Sequence, residues 1–140
     1  MASGGVAIDE FEMADRKADL PDILRLSHAD RGTVEWIMRD GKRVPNPVVV
    51  DWIESACGVR HNSIKIPWCA FYIGAKLHEL GLPSTRSGMA RSYLRWGTEV
   101  AYDDWQPGDI AVFWRGSYDD GVKGHIAIID EIDGDRIKCT

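Results

Sequence analysis

The chain has 140 residues and a net charge of −5, with a hydrophobic share of 44% and a charged share of 28%. That length suits one domain with a real core. The acidic balance argues against nucleic acid as the main partner, because phosphate binding needs a basic face, and no apolar run approaches the roughly 20 residues of a membrane span.

Residues 1–18 are small, acidic and poorly periodic, and read as a flexible lead-in to a domain over residues 19–140. They lack the basic-then-apolar pattern of a signal peptide, so work outside the cytoplasm is expected to need a separate carrier. Pro21 opens a predicted helix with Ile23, Leu24 and Leu26 on its buried side, running to about Asp30. His28, on or beside that helix, reads as a surface or satisfied histidine rather than a site residue. Arg31-Gly32 breaks the pattern, and residues 40–47 read as a polar loop with Gly41, Pro45 and Pro47. Asn46-Pro47 is a cap followed by proline at the first helical position. It starts a helix that carries Val49, Val50, Ile53 and Ala56 and ends before Gly58. An irregular segment with His61 and Asn62 follows.

Pro67 then precedes Trp68 and Cys69, and from Ala70 the apolar residues Ile73, Gly74, Leu77 and Leu80 recur at helical spacing up to a stop at Gly81. Residues 87–96 predict a further short helix, closed by Gly97. Beyond that the period changes. Pro107-Gly108-Asp109 is a tight turn into Ile110-Ala111-Val112-Phe113-Trp114, five apolar residues that predict a strand covered on both faces. Residues 117–124 form a polar loop, and a strand begins at His125 and runs to Ile129. Asp133-Gly134 is a hairpin turn into a last strand over residues 136–139. Helices first and consecutive antiparallel strands after them make the fold class α+β.

Three cysteines, Cys57, Cys69 and Cys139, with no CxxC spacing, favour neither a disulfide framework nor a zinc site. Cys57 and Cys139 read as small buried hydrophobes. Cys69 is placed differently, at a helix start, where unpaired N–H groups and the positive end of the macrodipole favour a thiolate. His125 stands at a strand start, where a base within reach of the thiol would complete a nucleophile–base pair. Gly124 beside it removes bulk where a thiol and a substrate carbonyl need room. The acidic pairs Asp103-Asp104, Asp119-Asp120 and Asp130-Glu131 lack the ordered ligand spacing of a calcium loop and read as solvated turns. No metal or other cofactor is expected.

Pro67-Trp68-Cys69-Ala70, Gly81-Leu82-Pro83, Ala90-Arg91-Ser92-Tyr93-Leu94 with Trp96-Gly97, Pro107-Gly108-Asp109 with Val112-Phe113, and Gly124-His125 occur in this order. Together they resemble the NlpC-type and CHAP-type cysteine peptidases, in particular the small subgroup of phage lysins and bacterial cell-wall hydrolases. The resemblance extends upstream through Gly32, Glu35-Trp36 and Asn46-Pro47 and covers about residues 20–140. It implies a papain-like fold, with the nucleophile helix packed on an antiparallel sheet, that cleaves amide bonds of peptidoglycan in the peptide stem or cross-link. Cys69 is then the nucleophile and His125 the general base. Trp68 and Trp114 are candidates to line a substrate groove, although packing is the commoner role of a tryptophan. Asp109 is expected to shape its turn.

The family also has a third polar residue that orients the histidine, and the resemblance places it after the segment matching residues 136–139, past Thr140. On that reading the domain lacks its last strand or strands. Asp130 or Glu131 would be the substitutes, with Asp130 disfavoured because it alternates to the face opposite His125. A lysin made in the cytoplasm and delivered by a holin, or by a phage tail with virion or tail proteins as partners, fits the absence of a signal sequence. Two other functions stay open on the sequence: a non-catalytic structural or wall-binding virion protein that keeps the fold, and an acyltransferase using the same Cys/His pair.

Overall fold

Two units divide the chain in the computed structural model, one formed by Met1–Arg31 with Met89–Thr140 and the other by Gly32–Gly88. The structure describes residues 2–7, 22–63, 65–114 and 124–140. Both units mix short helices with antiparallel strands, so the fold class is α+β as expected.

The first unit is built on a five-stranded sheet in the order β4-β1-β5-β6-β7, with β1 at Ala2–Ala7, β4 at Thr98–Val100, β5 at Ile110–Trp114, β6 at Gly124–Asp133 and β7 at Arg136–Cys139. Every neighbouring pair runs antiparallel. The five apolar residues of β5 form a strand as predicted, and Ile110, Ala111 and Val112 are fully buried. Opposite them, Ile126, Ala127, Ile128 and Ile129 of β6 are buried too, so both faces of this strand pair are covered. Helix α1 (Asp22–Ala29) buries Ile23, Leu24 and Ser27 and touches β6. A 3-10 helix at Ala90–Arg95 packs on β5 and β6 and carries the fully buried Tyr93.

The Pro107-Gly108-Asp109 turn extends the β5–β6 ladder by two bonds: the Gly108 N–H donates to the Ile129 carbonyl at 2.8 Å, and the Ile129 N–H to the Asp109 carbonyl at 2.9 Å. The Asp109 carboxylate accepts the Gln106 N–H at 2.9 Å, which closes the turn on itself.

The second unit holds a hairpin, β2 (Trp36–Arg39) with β3 (Lys42–Pro45), and two longer helices, α2 (Pro47–Cys57) and α3 (Cys69–Glu79), packed on each other. Asn46 does the work expected of a cap: its side-chain oxygen accepts the Val48 N–H at 3.0 Å, while its amide group donates to the Val34 carbonyl at 2.8 Å. Gly58, in the left-handed region at φ 81, ends α2. Helix α3 closes at Gly81, with the Leu82 N–H on the Leu77 carbonyl and the Gly81 N–H on the His78 carbonyl.

Three elements differ from the sequence reading. Ala2–Ala7, expected in a flexible lead-in, is a strand paired on both sides, with β4 and with β5; the rest of that lead-in, like Pro21 and Asp119-Asp120, lies outside the described residues. The polar loop expected over residues 40–47 instead supplies the turn and second strand of the β2–β3 hairpin, whose first strand, Trp36–Arg39, was not expected; Asp40 and Gly41 turn it at positive φ of 50 and 73. The helix expected over residues 87–96 is a 3-10 helix confined to Ala90–Arg95. Arg86 at φ 57 ends any regular path upstream, and the Ser92 hydroxyl donates to the Met89 carbonyl at 2.6 Å, competing with an α-helical bond.

Candidate active site

Cys69 is the first residue of α3. Its helix starts without a side-chain cap: Trp68 sits at φ −106, ψ −2 and makes no capping hydrogen bond, while its carbonyl accepts the Tyr72 N–H at 2.8 Å. The first-turn amides therefore receive no acceptor from the residue that normally supplies one. The thiol is half-buried.

The aromatic residues near this helix start form one stack. Trp68 lies on Trp52 of α2, centroids 6.0 Å apart and planes 21° from parallel, and Tyr72 meets both rings edge-on at 6.0 and 4.8 Å. Lys76, one turn further along α3, is 2% exposed. Its ammonium lies 5.0 Å from the Trp52 centroid and 5.4 Å from that of Tyr72, and donates to Glu79 Oε1 at 2.7 Å. Trp68 is thus committed on one face to packing. Trp52, Tyr72 and Lys76 were not singled out in the sequence, because their grouping depends on how α2 and α3 pack. His61, in the irregular segment upstream, stands 6.3 Å from the Phe71 ring.

His125 belongs to the other unit, at the second position of β6. It faces Phe113 across the β5–β6 pair, with ring centroids 6.4 Å apart and an interplanar angle of 25°. Trp114 ends β5 opposite Gly124 and is half-buried. The part assigned to Gly124 is corrected. A Cβ there would lie 2.8 Å from the Phe113 carbonyl oxygen and 3.2 Å from Arg91 Cγ. The glycine admits a close approach of backbone and 3-10 helix, and the space it leaves is already filled.

Neither substitute for the orienting residue is directed at His125. The Asp130 carboxylate, 8% exposed, takes His28 Nε2 on one oxygen at 2.9 Å and the Arg31 guanidinium on the other. Glu131 pairs with Lys138 of β7 at 3.5 Å. Of the two readings the sequence left for His28, surface or satisfied, the bond to Asp130 makes it the satisfied one. On β7 the backbone of Thr140 bonds twice to Ile128, at 3.2 and 2.9 Å, so this strand runs back along β6 in the direction of His125.

The other cysteines are half-buried rather than fully buried. Cys57 packs against the Val49–Trp52–Ile53–Ala75 cluster and donates weakly to the Val59 carbonyl at 3.5 Å. Burial, with the Asp130 carboxylate as a second cause, pushes the Cys139 thiol above its ordinary value. No helix among the described residues is long and apolar enough to cross a membrane. Among known proteins, no family model, no curated protein and no solved structure matches this chain.

Proposed function

We propose that the protein is a peptidoglycan hydrolase, an amidase or endopeptidase of papain-like fold acting through Cys69 and His125. The observation that carries the reading is the position of Cys69, at the first residue of an eleven-residue helix whose opening amides take no side-chain cap. A thiolate there attacks the scissile carbonyl carbon, and the C–S bond forms as the carbonyl electrons move onto oxygen. First-turn N–H groups are the donors for that oxyanion. His125 takes the thiol proton and returns it to the departing amine as the C–N bond breaks. Water then hydrolyses the thioester, releasing the carboxylate and restoring the thiol.

The engagement of Asp130 and Glu131 elsewhere favours a second reading, a non-catalytic wall-binding protein, because neither of these carboxylates is then available to orient the base. Digestion of purified peptidoglycan separates the two. Under the hydrolase reading the wild type releases fragments, Cys69→Ala releases none, and the fragment masses identify the bond cut. Equal release by both proteins would remove Cys69 from the chemistry. Sedimentation with the wall and no release by either would leave the binding protein.

A further inference from the structure

A helix start is ordinarily held by the side chain of the capping residue, whose oxygen accepts one of the first-turn N–H groups. Trp68 cannot act in this way, because an indole carries one N–H and no acceptor, and Pro67 before it has no side-chain acceptor either. The backbone of Trp68 lies in the helical region, at φ −106 and ψ −2, and its carbonyl takes the Tyr72 N–H at 2.8 Å. The first turn of α3 is thus closed without a side-chain cap, and Cys69 is its first residue.

Rings stand where the cap would be. The buried Trp52 of α2 lies 6.0 Å from Trp68, planes 21° from parallel, and 4.8 Å from Tyr72 at 70°. Trp68 and Tyr72 are also the acceptor and the donor of the backbone bond that closes the turn. One ring on a neighbouring helix therefore packs on both residues that bracket Cys69. Aromatic pairs have preferred geometries as well as apolar area, so Trp52 fixes where the Trp68 ring lies and with it the backbone leading into Cys69. A ring cap also differs from an oxygen cap in what it leaves open. A serine or aspartate at position 68 would occupy a first-turn N–H, whereas rings occupy none, and the amides stay available to a thiolate and to an oxyanion.

We propose that Trp52 is a positioning residue for Cys69, acting through Trp68 and Tyr72 to hold the start of α3 while leaving its amides to the reacting groups. The proposal rests on the reading of Cys69 as the nucleophile and makes no use of His125. Trp52, Trp68, Cys69 and Tyr72 all belong to the unit formed by Gly32–Gly88, so the device is complete within it.

The test reads the thiol directly and needs no peptidoglycan. Alkylation of the full chain by iodoacetamide, with the Cys69 peptide followed by mass spectrometry, gives a rate at neutral pH and a rate at alkaline pH. Their ratio reports how far the helix start favours the thiolate and cancels changes in access. Trp52→Leu, which fills the slot without a ring, is expected to lower that ratio about two- to fivefold, and Trp52→Phe to keep most of it. Leu77→Val removes volume from the fully buried far end of α3 and is expected to destabilise without moving the ratio. An unchanged ratio in Trp52→Leu, or an equal fall in Leu77→Val, would overturn the proposal and leave Trp52 a core residue only. Should Trp52→Leu not fold, amide hydrogen exchange of the wild type decides. The Tyr72 N–H is expected to be protected as strongly as the amides of mid-helix, and exchange at the rate of a frayed end would overturn the proposal. If the ratio responds as expected while the wild type releases nothing from peptidoglycan, the hydrolase reading fails and the positioning of the thiol stands.

Discussion

Among the described residues each unit of the molecule buries one charge, and the two surround it differently. In the sheet unit Asp130 is held at 8% exposure by hydrogen-bonded partners, His28 from α1 and Arg31 just beyond it. In the helical unit Lys76 is held at 2% exposure between the ring faces of Trp52 and Tyr72, with one carboxylate, Glu79, bonded to it at the solvent edge. A carboxylate fixed by directional bonds ties separate segments together, because each bond names a partner. A cation lying over rings is held by a broad surface that an apolar group of similar shape also fills. The same contrast runs through the glycines. Gly124 of the sheet unit is pressed against a backbone carbonyl oxygen, whereas a Cβ at Gly88 would meet the edge of the Phe71 ring at 2.6 Å. One neighbour is fixed by a strand ladder, and the other is a side chain that can rotate.

Asp130→Ala should therefore be the most damaging of these changes. Removing one member of a buried pair is costly, but the side chains of His28 and Arg31 keep 30% and 50% exposure and are partly hydrated. A loss of about 2–3 kcal/mol in denaturant unfolding is expected, below that of a fully buried pair. Because Arg31 loses its anchor, tryptic cleavage after Arg31 should also accelerate. Gly124→Ala follows at about 2 kcal/mol, since the ladder must shift to admit the methyl group. Gly88→Ala should cost less, about 1 kcal/mol, as the half-buried Phe71 ring turns aside. Lys76→Met is expected within about 1 kcal/mol of the wild type, and stabilisation is an allowed outcome, because the methionine fills the same slot without a desolvated charge. A loss as large as that at Asp130 would show that the bond to Glu79 outweighs the ring faces in holding the Lys76 ammonium, and the contrast between the units would collapse.

The parts of the fold that were legible in the sequence are those with local causes. Asn46-Pro47 and Gly58 frame α2 because capping is a matter between neighbours, and the apolar run of β5 needs only its own residues to mark a covered strand. Strand β1 was hidden because Ala-Ser-Gly-Gly-Val-Ala has little strand propensity, and its order comes from the two partners it pairs with, both far along the chain. The β2–β3 hairpin did carry a signal, Asp40-Gly41 between Trp36-Ile37-Met38 and Val44, but the prolines that follow resemble a loop. At the candidate site, the helix-start position of Cys69 and the strand-start region of His125 were readable from punctuation by Pro67 and Gly124. The partners of Asp130 were not, since 102 and 99 residues of chain separate it from His28 and Arg31.

Asp130 also reaches the last strand. Cys139 pairs with Ile129 next to it, and burial first, then the Asp130 charge, raises the Cys139 thiol above its ordinary value of 9.0. A thiol raised in the folded state binds its proton more tightly there than in the unfolded chain. Its contribution to stability is thus complete below 9.0 and is lost as the pH rises through the higher folded value. Denaturant unfolding of the wild type should show a fall in stability across that alkaline window that Cys139→Ala lacks. Combining Cys139→Ala with Asp130→Asn then separates the causes. If burial is the larger one, Asp130→Asn alone keeps most of the alkaline fall; if the fall disappears with Asp130→Asn, the carboxylate rather than burial governs the thiol.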